Sequence, residues 1–151
     1  MAKFRFKFQK VLDARNAIEK DKKRDLMIAR NHLAELWQER KRIENEIAIQ
    51  RDQFSQHRYQ EEKASTWAVM QGYLDMLESL QKAMGSRIEK QQSDVEEKTA
   101  LLLEARRERR AMEILRDKHY EEFISSENRS EQVFLNEIAQ FHSIKNKQDT
   151  E

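Results

Sequence analysis

The chain contains no proline and only two glycines, Gly72 and Gly85, in 151 residues. An average domain takes about 7% of its residues as glycine and 5% as proline, largely for turns. A fold built from many strands or many loops is therefore excluded, and long helices remain. Charged and hydrophobic residues each make up 38% of the chain, and the mean hydropathy is -1.02. Seven Phe, three Tyr and two Trp argue against the aromatic-poor composition of a disordered polyampholyte. The class indicated is a coiled coil.

Hydrophobic spacing supports this in two stretches. Leu26, Ala29, Leu33, Leu36, Arg40, Ile43, Ile47, Gln50 and Phe54 alternate steps of three and four, which is a heptad seam with two polar members. Ile88, Val95, Leu102, Ala105, Met112, His119 and Phe123 keep compatible spacing, with Gln91, Lys98, Arg109 and Arg116 at other seam positions. Polar seam residues fix register at a cost in stability and disfavour a tight homo-oligomer.

Between the stretches the sequence offers a break. Ser65-Thr66 can cap a helix at Trp67, Gly85 suits the left-handed position past a helix end, and Ser86-Arg87-Ile88-Glu89 reads as a capping box. The alternative is a heptad that runs straight through Met84 and Ile88, with Gly85 a helical glycine costing about 1 kcal/mol against Ala. On the first reading a helix spans about 5–62, a short helix about 67–83, and a last helix about 87–144, followed by a frayed tail at 145–151. The expected fold is all-α: one elongated domain, an antiparallel two-helix coiled coil with a short helix at the reversal. Its arms are even and its two termini lie at one end.

Several kinds of chemistry are disfavoured. Without cysteine there is no disulfide, thiol catalysis or thiolate metal site. Two isolated glycines cannot form a phosphate-binding loop, and His32, His57, His119 and His142 match no metal-pair spacing. A two-helix coiled coil offers no enclosed pocket. No catalytic, cofactor or metal residues are expected, and the chain reads as a non-enzyme. No apolar run approaches a membrane span, and MAKFRFKFQK has no apolar h-region of a secretory signal. The simplest location is cytoplasmic.

The net charge is +1, but residues 1–24 hold nine Lys/Arg against three Asp/Glu, a net of +6. That end could meet an acidic partner or a membrane surface, or be a solvated, partly frayed helix start. Arg106-Arg107-Glu108-Arg109-Arg110 is the densest basic cluster, yet Glu108, Glu113 and Asp117 interrupt it. Phosphate-driven binding needs several clustered cations, so a solvated face or a contact with acidic protein loops is favoured over nucleic acid. Phe4 and Phe8 would share a helix face with Phe6 turned away, and Phe134, Ile138 and Phe141 would join them. A sticky, basic tip of this kind suits insertion into a hole in another protein. On the short helix, Tyr73, Leu77, Leu80 and Met84 form a stripe, flanked by Trp67, Leu74, Met70 and Met76, residue types that dominate interface cores.

The opening MAKFRFKFQKVLDARNAIEKDK resembles that of the FliJ family of bacterial flagellar export proteins, many of which begin F-x-F-x-x-x-L-x-x-R/K. Trp67 followed by Tyr73-Leu74 and Leu77-Glu78, the segment ARRERRAMEILRDKHYEEF, Glu127-Asn128-Arg129 and the tail SEQVFLNEIAQFH are also similar to that family. The resemblance implies a stalk protein of the flagellar type III export apparatus, built like the central stalk of rotary ATP synthases. It would bind and activate the hexameric export ATPase, contact the membrane export gate and assist export chaperones, on the cytoplasmic face of the inner membrane at the flagellar base. Phe4, Phe8, Val11 and Arg15 with Phe134, Ile138 and Phe141 are the expected ATPase-facing residues. Tyr73, Leu77, Leu80 and Met84 fall where the family has its gate-binding surface, although the matching family positions can hold a small residue and a histidine in place of Leu80 and Met84. The free protein is expected to be a monomer. The competing readings are a virulence type III secretion stalk, a self-associating structural coiled coil, and a nucleic-acid-binding arm.

Overall fold

The computed structural model describes residues 3–57 and 63–148, with side chains to residue 145. Two helices follow one another: α1, Gln9–His57 (49 residues), and α2, Ala64–Gln148 (85 residues). Their side-chain partners run in opposite directions. Arg51 meets Glu78, Gln91 meets Ala29, and Arg15 meets Glu108. The fold is the expected antiparallel helical hairpin, but α2 is much longer than α1, so the expected even arms are not found.

The first seam is buried as its spacing predicts. Leu26, Ala29, Ile43 and Ile47 are buried, and Leu33, Leu36, Arg40, Gln50 and Phe54 are half-buried. The same heptad extends backwards, because Glu19 and Leu12 stand seven and fourteen residues before Leu26 and both are buried. In the second seam Ile88, Leu102 and Ala105 are buried. Arg116 is the exception and lies exposed.

The separate short helix at 67–83 is absent, and α2 is continuous from Ala64 through Gly85 to Gln148. Among the described residues no glycine has a positive φ, so Gly85 ends nothing and Ser86–Glu89 caps nothing. The reason lies in packing. Leu74, Leu77, Met84 and Ile88 are buried in one cluster with Ile43 and Ile47 of α1. A break at Gly85 would turn either Met84 or Ile88 out of that cluster. Burying such side chains is worth about 1.5–3 kcal/mol each, more than the ~1 kcal/mol that a helical glycine costs. The stretch after the reversal therefore has a core to pack on.

The helix boundaries differ from expectation at both ends. Thr66 N and Trp67 N both donate to Lys63 O (2.9 and 3.4 Å), so Lys63 holds the cap position and Ser65-Thr66 lie inside the first turn. Residues 3–8 are not helical. The last helix continues through Lys145 to Gln148, where fraying was expected. The end of the expected first helix, 58–62, and the last three residues of the expected tail lie outside the described residues.

Polar seam residues are satisfied across or along the seam. Gln91 Nε2 donates to Ala29 O at 3.0 Å, and Lys98 reaches Asp94 at 2.7 Å. Arg40 pairs with Glu44 at 2.9 Å and lies 5.3 Å from the Trp37 ring centroid. Contacts divide the chain into two units: Met1–Glu19 with Ala105–Glu151, and Lys20–Glu104.

Candidate interaction surfaces

In the first unit, residues 3–6 lie outside any helix and a turn leads into α1, where Gln9 N donates to Phe6 O (3.2 Å) and Leu12 N to Phe8 O (3.0 Å). Phe4 and Phe6, two residues apart in this non-helical segment, both meet α2. The Phe4 ring centroid is 5.2 Å from Tyr120 and 5.6 Å from Phe123, and Phe6 is 5.7 Å from His119. The helical expectation that Phe6 turns away is corrected: Phe6 is the buried member (7% exposed), while Phe8 is at the surface. The F-x-F-x-F alternation was the available signal, since a period of two is that of extended chain.

Opposite this aromatic seat, Lys3, Arg5, Lys7 and Lys10 are exposed. Lys7 Nζ lies 5.7 Å from the Phe8 ring centroid. None of the four pairs with a carboxylate among the described residues. Val11 is exposed beside them, whereas Arg15 is half-buried and paired with Glu108.

Phe134, Ile138 and Phe141 do not join Phe4. Among the described residues ahead of α1, Phe4 is seated on Tyr120 and Phe123, and α2 continues past them. From Asn128 to Lys145 every residue is exposed, with Phe134 at 62% and Phe141 at 71%. At 1.5 Å per residue, the stretch from Ile124 to Ile144 adds about 30 Å of single helix.

The arginine cluster is largely neutralised by its own chain. Arg106 and Arg109 pair with Glu19, and Arg109 and Arg110 pair with Glu113. A hydrogen bond from Arg110, then one from Arg109, holds the Glu113 carboxyl below its usual value. The Arg109 guanidinium is raised, chiefly by its bond to Glu113 and further by Glu19. Glu19 was missed as a seam residue, although the heptad step back from Leu26 points to it. This arrangement disfavours a phosphate-binding arm, because guanidiniums engaged by carboxylates release few counterions on binding.

In the second unit the expected stripe divides. Leu77 and Met84 are core, at 5% and 7% exposure, while Tyr73 and Leu80 are exposed. Leu77 and Met84 are thus not available as surface. The exposed apolar line begins four residues earlier: Val69, Tyr73, Met76 and Leu80 are all exposed and step by four, three and four, so they share one face. Tyr73 Oη donates to Glu46 Oε1 at 3.4 Å, and Trp67 packs edge-on against Phe54 with centroids 4.6 Å apart.

His32 lies beside Glu35 at 3.7 Å, and His119 lies against Phe6 and Phe8. Among the described residues no three His, Asp or Glu side chains gather as a metal site, and no helix is long and apolar enough to cross a membrane.

The family model described as the flagellar FliJ protein matches residues 4–148. No curated protein and no solved structure matches the chain. The family match spans the aromatic seat, both seams and the uncovered end of α2, and the resemblance read from the opening, the middle and the tail is the same one. The chain belongs to the flagellar FliJ protein family, a family of structural components of flagellar protein export.

Proposed function

We propose that this protein is the stalk that the flagellar export ATPase holds, and that the first unit is the end the ATPase ring receives. The observation that carries this reading is a coincidence of apolar and basic surface. Phe8, Val11, Phe134, Ile138 and Phe141 are exposed in the same unit as Lys3, Arg5, Lys7 and Lys10, four cations without a carboxylate partner among the described residues. Phe4 acts by seating the basic segment on α2, and Arg15 by tying α1 to Glu108. An asymmetric helical pair in a six-fold ring contacts its subunits unequally. It biases some of them toward one nucleotide state, to the extent that its contact energy differs between states.

The membrane export gate is assigned the line Val69, Tyr73, Met76 and Leu80, with Leu77 and Met84 holding it from beneath. Export chaperones are a third partner class that the resemblance implies. The family match favours the flagellar over the virulence reading.

The test is ATP hydrolysis by the export ATPase of the same organism, with and without this protein. Stimulation is expected. It should fall when Lys3, Arg5, Lys7 and Lys10 are reversed in charge, and when Phe8, Phe134 and Phe141 become Ala, with helicity unchanged. Absence of both stimulation and complex formation would remove the ATPase reading.

A further inference from the structure

The seam that α1 covers does not stop where α1 stops. Past Phe123 it continues in steps of three and four through Glu127, Ser130, Phe134, Ile138, Phe141 and Lys145. Those positions follow directly from Phe123, on which Phe4 is seated, and three of the six are apolar: Phe134, Ile138 and Phe141, which fall together within one heptad step. Phe134, Ile138 and Phe141 are exposed, and so are Val133, Leu135 and Ile144 beside them. The expectation of a monomer assumed arms of even length that cover one another's seams. The arms are uneven, and this part of the seam is bare.

We infer that the uncovered end of α2 pairs antiparallel with the same segment of a second copy of this chain. The charge order along the seam sets the direction. Glu127 and Glu131 lie before the apolar block and Lys145 after it. A parallel pair would set each glutamate beside its own copy, which is repulsive, and would bring two α1 ends to the same place beside Phe123. An antiparallel pair centred between Glu137 and Ile138 sets Phe134 of one copy against Phe141 of the other. Lys145 then comes beside Glu131 of the other copy, and the two-fold axis makes this contact twice, against a single Glu137 pair that meets near the axis. Such a pair has two-fold symmetry and closes on itself, so it gives a dimer rather than a filament.

This inference does not rest on the ATPase reading, but it has a consequence for it. The dimer covers Phe134, Ile138 and Phe141, which the ring would also use, so pairing and ring insertion exclude one another.

The test uses the full chain alone. Sedimentation velocity from low-micromolar to several-hundred-micromolar protein should show the mass moving from 18.2 kDa toward twice that value. Phe134→Ala with Phe141→Ala should weaken association about tenfold or more, and Lys145→Glu should weaken it by a smaller factor. Alanine at these exposed helical sites favours the helix, so unchanged circular dichroism shows that the fold is kept. The chain has no native cysteine, so single cysteines report direction. Ile138→Cys should form a disulfide-linked dimer on mild oxidation, and Glu127→Cys should not. A monomer at every concentration overturns the inference. So does a dimer that survives loss of both phenylalanines, or equal cross-linking at positions 127 and 138.

Discussion

Glu19 of α1 is buried in the seam and paired with Arg109 of α2, with Arg106 as a second partner at 3.4 Å. It occupies a heptad position between Leu12 and Leu26, both buried. A carboxylate there is costly to desolvate, and the guanidinium partners offset that cost. Glu19→Ala is expected to lower the thermal midpoint by several degrees, because it removes the buried partner of Arg109 and leaves Glu113 alone to hold that guanidinium. The pair Glu19→Leu with Arg109→Met should leave the midpoint unchanged or raise it, since apolar replacements of buried ion pairs are often neutral or stabilising. Thermal melts by circular dichroism decide between these outcomes. A harmless Glu19→Ala would show that the ion pair contributes nothing at this position.

Glu113 connects the same network to pH. Hydrogen bonds from Arg110 and Arg109 hold its carboxyl below the ordinary value of 4.5. A group with a depressed folded-state pKa contributes stability above its unfolded pKa and loses it as pH falls through the folded value. The protein should therefore lose thermal stability as pH falls below the ordinary carboxylate range, and Glu113→Gln should flatten that part of the profile. The check is the midpoint measured at a series of acidic pH values for both proteins. Parallel profiles would show that other carboxylates carry the acid sensitivity.

The seams were legible because period and burial agree: every position that the steps of three and four selected in α1 is buried or half-buried. Two features were not legible. Gly85 and the S-x-x-E that follows form a strong local stop signal, and Met84 and Ile88 override it because both have a partner surface on Ile43 and Ile47. That is a tertiary effect, invisible to local propensity. At the amino end the reverse occurred. A helix was read through Phe4, Phe6 and Phe8, yet the alternation of Phe with Arg5 and Lys7 fits an extended segment that presents Phe4 and Phe6 to α2. Of the candidate surfaces, residue types were legible and pairing was not. Phe134, Ile138 and Phe141 were placed with Phe4 because equal arms were assumed, and Leu77 and Met84 were placed on a surface because the stretch around them was denied a core.

The continuity of α2 can be tested at Gly85 itself. An added Cβ there meets nothing within 4 Å, and its φ is not in the left-handed region. Gly85→Ala should therefore stabilise the protein by about 1 kcal/mol, the difference in helix propensity. A helix-ending glycine would give the opposite sign, because alanine is strained in the left-handed conformation. Urea unfolding of the two proteins measures the sign directly, and a destabilised Gly85→Ala would restore the broken helix.

The divided stripe gives the sharpest contrast between packing and binding. Leu77 and Met84 belong to the buried cluster with Ile43, Ile47, Leu74 and Ile88, so Leu77→Ala or Met84→Ala should cost about 2–5 kcal/mol, the usual range for emptying a core site. Tyr73 and Leu80 stand on the same turns of α2 but are exposed, as are Val69 and Met76. Substituting Leu80 or Met76 by Ala should change stability by no more than about 0.5 kcal/mol, as surface changes away from special features do. Tyr73→Ala should cost little more, since its side-chain hydrogen bond to Glu46 is long at 3.4 Å. If this face binds the export gate, the Val69, Met76 and Leu80 variants should lose export-dependent motility while melting like the parent, and the Leu77 and Met84 variants should lose stability first. Motility that follows thermal stability across all six positions would mean that the line matters only as the outer edge of the core.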